Sequence, residues 1–255
     1  MTKPPNPYFH FHPYGAVHFC VLAVFALIVA LMVVLRRTDD IAHVRPRRRF
    51  MDRSIGWIGL GVAIFVQTVT LWPSRFDHLT SLPIQICDLV MFIAPLGLIT
   101  GWRPLRALAY FWGLGLTSIA FIWPDLSFGP VYFQFWVFWA AHAAILATAL
   151  YDVTARGFRP NRSDWMLAVA CCAIYTAIIF PIDAVFSLNY GYVGKTYHGE
   201  HSPTDFLGPW PWRVAIMLVL AAAVMSLLFV PWIFVRRNRR SAAQNQTLPA
   251  ANAAV

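Results

Sequence analysis

The fold of this chain is decided by the stretch Leu82-Pro83-Ile84-Gln85-Ile86-Cys87-Asp88-Leu89, which opens an apolar run that ends near Thr100. The stretch places an amide, a thiol and a carboxyl group close together in a segment whose length and apolar content predict a membrane helix. A charged group at membrane depth costs about 2.5–3.5 kcal/mol on insertion scales, so an intramembrane aspartate marks a candidate functional site. The rest of the chain is therefore expected to surround this stretch.

The composition is that of an integral membrane protein. Of the 255 residues, 59% are hydrophobic and 12% are charged, whereas about 25% are charged in a typical soluble domain. The apolar residues fall in continuous blocks, each long enough to cross a hydrocarbon core of about 30 Å as a helix. The chain is thus predicted to be a polytopic helical membrane protein.

We predict an all-α bundle of seven transmembrane helices that forms a single domain over residues 1–240. The predicted spans are Ala16–Leu35, Ile55–Trp72, Ile84–Thr100, Leu105–Trp123, Tyr132–Tyr151, Trp165–Phe186 and Trp212–Val235. The tail at 241–255 is rich in Ala, Gln and Asn, a composition that predicts disorder.

The basic residues encode an orientation. Sixteen Lys and Arg residues lie on one side of the predicted spans and four lie on the other. The positive-inside rule then predicts an external N-terminus and a cytoplasmic C-terminus. The net charge of +9 does not indicate nucleic-acid binding, because the arginines lie in short loops between apolar blocks.

The cysteines give no sign of a structural bridge or a metal. All four lie inside apolar blocks, so neither a disulfide framework nor a zinc spacing is indicated, and no cofactor is expected. His198, Glu200 and His201 form a further cluster of potential ligands in a predicted outer loop. Their spacing matches no helical or ribbon site, so we interpret that segment as a solvated loop.

Polar side chains from five predicted helices fall in the outer half of the bilayer. They are Gln67, Thr68, Thr70, Gln85, Cys87, Asp88, Thr117, Ser118, Gln134, His142, Asp183 and Asn189. His142 is expected about 15 Å below the outer end of its helix, near the midplane. Because exposure of these groups to lipid is costly, we expect them to face one another around a cavity.

Helical phase separates the polar groups of the opening stretch. On a helix that is regular from Pro83, Gln85 and Asp88 share a face, whereas Cys87 points roughly 200° away from Gln85. A base for the thiol must then come from another helix, and His142 is the candidate, because an adjacent imidazole lowers a thiol pKa. The simpler interpretations are a small hydrophobic Cys87 and a His142 that serves as an interhelical hydrogen-bond partner.

A series of motifs between about residues 80 and 215 is typical of one family. The motifs are Leu82-Pro83-x-x-x-Cys87-Asp88-Leu89, Tyr110-Phe111-Trp112-Gly113-Leu114, Pro124-Asp125-Leu126, His142, Asn189-Tyr190 and Leu207-Gly208-Pro209-Trp210-Pro211-Trp212. With these motifs the chain resembles the YwaF-type family of bacterial integral membrane proteins, which implies a location in the plasma (inner) membrane of a bacterium.

The YwaF-type family is distantly similar to transmembrane cysteine acyltransferases of ether-phospholipid remodelling and to membrane hydrolases of fatty-acid esters of hydroxy fatty acids. The resemblance implies Cys87 as nucleophile, His142 as base and Asp88 as a residue that shapes the local charge. Thr117, Ser118 or Asn189 would orient groups or donate to an oxyanion. Family members commonly carry His at the position of Gln85, which keeps hydrogen-bonding capacity but does not titrate.

Three functional hypotheses follow. The first is cysteine-dependent acyl transfer or acyl-ester hydrolysis on a phospholipid or lysolipid; its substrate-binding candidates are Gln85, Thr117, Ser118, Gln134, Asp183 and Asn189. The second is a transporter or small-molecule binding protein that uses Asp88, His142 and Asp183, although no inverted repeat is visible. The third is a non-catalytic membrane scaffold. The sequence does not indicate an oligomeric state.

Overall fold

The computed structural model describes residues 8–41, 45–196 and 204–247, and every regular element within these ranges is a helix. The α-helices are α1 (Ala16–Ile41), α2 (Arg45–Thr70), α3 (Ile86–Thr100), α4 (Arg103–Leu108), α5 (Ile119–Ile122), α6 (Phe133–Thr154), α7 (Arg162–Phe186) and α8 (Trp212–Thr247). A π-helix over Ala109–Thr117 joins α4 to α5. The prediction of an all-helical chain is confirmed.

Six helical segments are long and apolar enough to cross a membrane, and α3 is a shorter apolar helix. Together they correspond to the seven predicted spans. With 15 residues, α3 covers only about 22 Å of a core about 30 Å thick. The third span was predicted to begin at Ile84, but the backbone at Gln85 is extended and the helix begins at Ile86.

Three helices run further than predicted. The first predicted loop is largely helical, because α1 continues to Ile41 and α2 begins at Arg45. Arginine is a good helix former, and the proline at position 46 lies in the first turn of α2, where proline is tolerated. At the other end of the chain, α8 continues to Thr247, into the segment predicted to be disordered.

The helices alternate in direction, so the bundle has two ends. One end holds the first turns of α3 and α6, and we name it the Cys87 end. The opposite end holds the last turns of the same two helices, and we name it the arginine end. Helix α3 packs against α2, α4, α6 and the π-helix, so it is central in the bundle.

Ion pairs link four helices at the arginine end. The pairs are Arg103–Asp164, Arg106–Asp152, Arg156–Asp52 and Arg156–Asp152, with N–O distances of 2.6, 2.8, 3.4 and 3.6 Å. The first two pairs are bidentate, a geometry in which one guanidinium donates to both carboxylate oxygens. Arginines that the sequence marked only as orientation signals therefore tie α2, α4, α6 and α7 together.

Close packing around Gly113 accompanies the π-helix in the fourth span. A Cβ at Gly113 would lie 3.3 Å from Cγ2 of Ile145, 3.5 Å from Cβ of Ala149 and 3.6 Å from Cγ1 of Val90. The π-helix, α3 and α6 therefore meet at this point with little room for a side chain. The fourth predicted span is a helix in the structure, with π-helical geometry over its central nine residues.

Candidate functional site

Three hydrogen bonds fasten the segment before Cys87 to a loop that follows α7. The Tyr190 hydroxyl, which is completely buried, accepts from the backbone N–H of Leu82 at 3.0 Å and donates to the carbonyl of His78 at 2.9 Å. The backbone N–H of Gly191 donates to Oε1 of Gln85 at 2.7 Å. From within α7, the Tyr175 hydroxyl donates to the carbonyl of Ile84 at 2.7 Å. These bonds hold residues 82–85 out of the helix.

Gln85 and Asp88 have structural roles at the first turn of α3. The backbone N–H of Gln85 donates to Oδ2 of Asp88 at 3.2 Å, which closes the turn. Gln85 is the N-cap residue of α3, so the premise of a helix that is regular from Pro83 is wrong and the phase argument does not apply, although Gln85 and Asp88 pair across the first turn. The Gln85 amide instead binds the loop, which explains why a non-titrating side chain suffices there.

Cys87 is half-buried in the first turn of α3. Its sulfur lies close to the backbone N–H groups of Cys87 and Asp88. The N–H groups of a first helical turn have no acceptor within their own helix. Tyr175 and Tyr192 lie close enough to the thiol for the charge of a Cys87 thiolate to affect their ionisation. The described structure gives no direct hydrogen bond between Cys87 and His142.

The ring of His142 has one nitrogen in a hydrogen bond and one without a partner among the described residues. Nδ1 lies 2.8 Å from the carbonyl oxygen of Phe138, one turn earlier in α6. A carbonyl only accepts, so in the neutral ring Nδ1 carries the hydrogen and Nε2 carries the lone pair. The ring also packs on the Phe138 ring, with 4.3 Å between the centroids. This tautomer is the one that a general base acting through Nε2 requires.

The register of the helices indicates that Cys87 and His142 lie at one level, meaning the same depth along the axis of the bundle. Val90 of α3 meets Ile145 of α6 across Gly113. Cys87 lies one turn before Val90 on the same face of α3, and His142 lies one turn before Ile145 on the same face of α6. Both steps lead toward the Cys87 end. Further along the same two helices, Pro95 and Thr148 also meet, since they lie 3.2 and 3.5 Å from a Cβ at Gly59.

Thr117 belongs to the same level. It is the last residue of the π-helix, four residues beyond Gly113 and about one π-turn toward the Cys87 end. Its side chain is buried, and Oγ1 has no hydrogen-bond partner within the described structure. The next hydroxyl, that of Ser118, donates to the carbonyl of Leu114 at 2.7 Å and is therefore occupied.

Asp183 and Asn189 carry further buried acceptors without partners. Asp183 is 1% exposed, and neither of its carboxyl oxygens makes a hydrogen bond in the described parts of the chain. The backbone N–H of Tyr190 lies near the carboxyl group but outside hydrogen-bonding geometry. Oδ1 of Asn189 is likewise buried and unpartnered among described residues. Uncompensated acceptors of this kind are rare in native proteins and call for an explanation.

The other polar candidates lie outside this cluster or are already occupied. Gln134 is exposed at the start of α6. Thr68 and Thr70 donate to carbonyls of their own helix at 2.7 and 2.9 Å. Gln67 reaches the carbonyl of Ser81 at 3.5 Å. The loop histidines 198 and 201 and glutamate 200 lie outside the described residues.

Sequence reasoning gave no role to Tyr175 and Tyr192, which lie near Cys87. Tyr192 donates to Oδ2 of Asp125 at 3.2 Å, and its backbone has a positive φ of 60°, which is strained for a bulky residue. Burial raises the pKa of Tyr192, and the nearby Asp125 carboxylate and Cys87 thiol raise it further. The sequence signal that pointed to this loop was Tyr190-Gly191-Tyr192, because a glycine between two aromatic residues is typical of a tight turn. Gly191 has a positive φ of 63° in the structure.

The fold and the site define an integral membrane protein, a bundle of apolar helices with buried polar side chains toward one end. Residues 13–229 match the TMEM164 family, a family of membrane proteins, and the chain belongs to it. The comparison with curated proteins and the comparison with solved structures each gave no match. The predicted membrane character is confirmed, whereas the resemblance to YwaF-type proteins and to cysteine acyltransferases stays a prediction.

Proposed function

We propose that this protein is a membrane enzyme that transfers or hydrolyses the acyl group of a phospholipid or lysolipid through Cys87. The observation that carries the proposal is the meeting of Val90 and Ile145 at Gly113, one turn from Cys87 and His142, together with the hydrogen on Nδ1 of the histidine. A thiol and a basic nitrogen on neighbouring helices form the minimal pair for nucleophilic catalysis. The first turn of α3 adds backbone N–H groups beside the sulfur.

The reaction is balanced by these groups. Sγ of Cys87 attacks the ester carbonyl carbon while Nε2 of His142 takes the thiol proton. The ester C–O bond then breaks, and His142 returns that proton to the departing oxygen, which leaves an acyl-thioester on Cys87. A lysolipid hydroxyl or water attacks the thioester in turn, with His142 as base, and the thiol is restored. Asp88 shapes the charge around the sulfur.

The proposed site lies in the outer half of the bilayer. The distribution of Lys and Arg supports an external Cys87 end and a cytoplasmic arginine end, since sixteen of these residues fall on the arginine side. The bacterial inner membrane is the proposed location. An acyl ester of a lipid in the outer leaflet would reach the half-buried thiol from within the bilayer, without leaving the lipid phase.

The proposal is tested by trapping the thioester. Purified protein is incubated with phospholipid vesicles whose acyl chains carry a terminal alkyne, and the adduct is detected by coupling a dye to the alkyne. We expect labelling of the wild type that hydroxylamine removes and that Cys87→Ala abolishes. Cys172→Ala is the matched control, because Cys172 is a thiol on another helix of the bundle. Equal labelling of Cys87→Ala and the wild type would disprove the proposal.

A second candidate function, transport or binding of a small molecule, is favoured by Asp183. Its buried carboxyl group without a described partner is typical of a site for a proton or a polar substrate in a membrane protein. Under this alternative, proteoliposomes with Cys87→Ala would accumulate a tested solute as the wild type does, whereas Asp183→Asn would abolish uptake. If Asp183→Asn leaves uptake unchanged, the transport alternative is rejected.

A further inference from the structure

The hydroxyl of Thr117 lacks the backbone hydrogen bond that many Ser and Thr hydroxyls in the helices make. Six of those donate to the carbonyl four residues earlier, at 2.6–2.9 Å; they belong to Thr68, Thr70, Thr100, Ser118, Thr154 and Ser226. Thr117 is only 5% exposed and makes no such bond within the described chain. A buried donor is therefore available at Thr117, beside the Ser118 hydroxyl, which is occupied.

The position of this donor connects it with the proposed chemistry. Thr117 ends the π-helix, and π-helical segments occur frequently at functional sites. Gly113, one turn away, is the point at which the π-helix meets Val90 and Ile145. Because Cys87 and His142 lie one turn from those two residues in the same direction, three helices present a thiol, an imidazole and a free hydroxyl at one level.

We propose that Thr117 is a further catalytic residue, whose hydroxyl donates a hydrogen bond to the carbonyl oxygen of the acyl group that Cys87 attacks. This inference rests on the function proposed above. When the Sγ–C bond forms, the carbonyl oxygen becomes an oxyanion. Two kinds of donor then meet it, the Thr117 hydroxyl from the π-helix and the backbone N–H groups in the first turn of α3. Such preorganised donors act most strongly where water is excluded.

The assignment also separates Thr117 from the other predicted oxyanion donors. The Ser118 hydroxyl is held by the Leu114 carbonyl. The unpartnered atom of Asn189 is its side-chain oxygen, which accepts hydrogen bonds and cannot donate to an oxyanion. Of these three candidates, Thr117 alone combines a buried position with a donor that has no described partner.

The test uses full-length protein in detergent with 4-nitrophenyl palmitate, whose leaving group reports acylation by its absorbance. The variants are made in a background in which Cys20, Cys171 and Cys172 are alanine, so that Cys87 is the only thiol. Thr117→Val removes the hydroxyl at constant shape, and Thr117→Ser keeps it. Thr148→Val is the matched control, because Thr148 is a buried helix threonine at the level of Pro95.

Loss of one oxyanion donor lowers kcat by about 10²–10³-fold, so we expect that decrease for Thr117→Val with little change in KM. Thr117→Ser and Thr148→Val should stay close to the background protein. The alkylation rate of Cys87 by iodoacetamide, which has no acyl oxyanion, should be the same in all four proteins. This readout distinguishes loss of the donor from a disturbed thiol.

The unfavourable outcomes are distinct. If Thr117→Val acylates at the background rate while Cys87→Ala is inactive, Thr117 has no part in catalysis but the proposed function stands. If Thr117→Val shifts the pH profile without lowering its plateau, the residue acts through His142 and the assignment to the acyl oxygen is wrong. If Cys87→Ala is acylated like the wild type, the proposed function fails and this inference fails with it.

Discussion

Replacement of His142 by glutamine is expected to slow acylation of Cys87 by about 10²–10⁴-fold, the contribution typical of a positioned general base. Nδ1 of His142 donates to the Phe138 carbonyl, so the lone pair that accepts the thiol proton is on Nε2. A glutamine amide preserves polarity but does not titrate. The rate of 4-nitrophenolate release from 4-nitrophenyl palmitate, followed from pH 5 to 9, measures the effect.

His18 provides the control for this substitution. It is a buried helix histidine whose two ring nitrogens are both engaged, with the Tyr14 N–H at 3.0 Å and the Phe121 carbonyl at 3.1 Å. His18→Gln should therefore affect stability without the large decrease in acylation rate. An unchanged rate in His142→Gln would show that the base for Cys87 is another group, and it would remove the main support for the proposed mechanism.

Replacement of Asp152 by asparagine is expected to lower the free energy of unfolding by about 3–5 kcal/mol, the typical cost of removing one partner of a buried ion pair. Asp152 is 4% exposed and accepts both hydrogen bonds of the Arg106 guanidinium at 2.8 and 2.9 Å. Arg156 lies 3.6 Å from the same carboxylate. The substitution leaves the half-buried charge of Arg106 without the carboxylate that it contacts in the described structure.

Unfolding in detergent, followed by circular dichroism against denaturant concentration, measures this change. Asp125→Asn is the matched control, because Asp125 is exposed and an exposed polar contact contributes only about 0–1 kcal/mol. In a second variant, Asp152→Leu together with Arg106→Met removes both charges and should recover much of the lost stability. A decrease below about 1 kcal/mol for Asp152→Asn would contradict a stabilising role for this ion-pair network.

The helices of the bundle were predictable because the signal for a span is local. An uninterrupted apolar block of sufficient length identifies a span without knowledge of its neighbours, and every predicted span has a helix in the structure. The ends were less predictable. The start of α3 depends on hydrogen bonds from Tyr175, Tyr190 and Gly191, about a hundred positions further along the chain.

The candidate site was predictable only as a set of residue types at roughly one depth. Thr117, Asp183 and Asn189 were selected as polar groups, and all three have buried atoms without described partners. Ser118 was selected by the same criterion, but its hydroxyl is bound within its own helix. Polarity and depth do not distinguish an available hydroxyl from an occupied one, since that depends on rotamers and on the neighbouring backbone.

The sequence by itself determined that the chain is a helical membrane protein and that Cys87 stands at the start of a membrane-level segment. Hydrophobic length is a property of consecutive residues, so it needs no tertiary contact. Only the tertiary structure decided that Gln85 lies outside the helix, that a π-helix carries Thr117, and that Cys87 and His142 share a level. Each of these depends on packing between segments distant in the chain, above all at Gly113, where three helices meet.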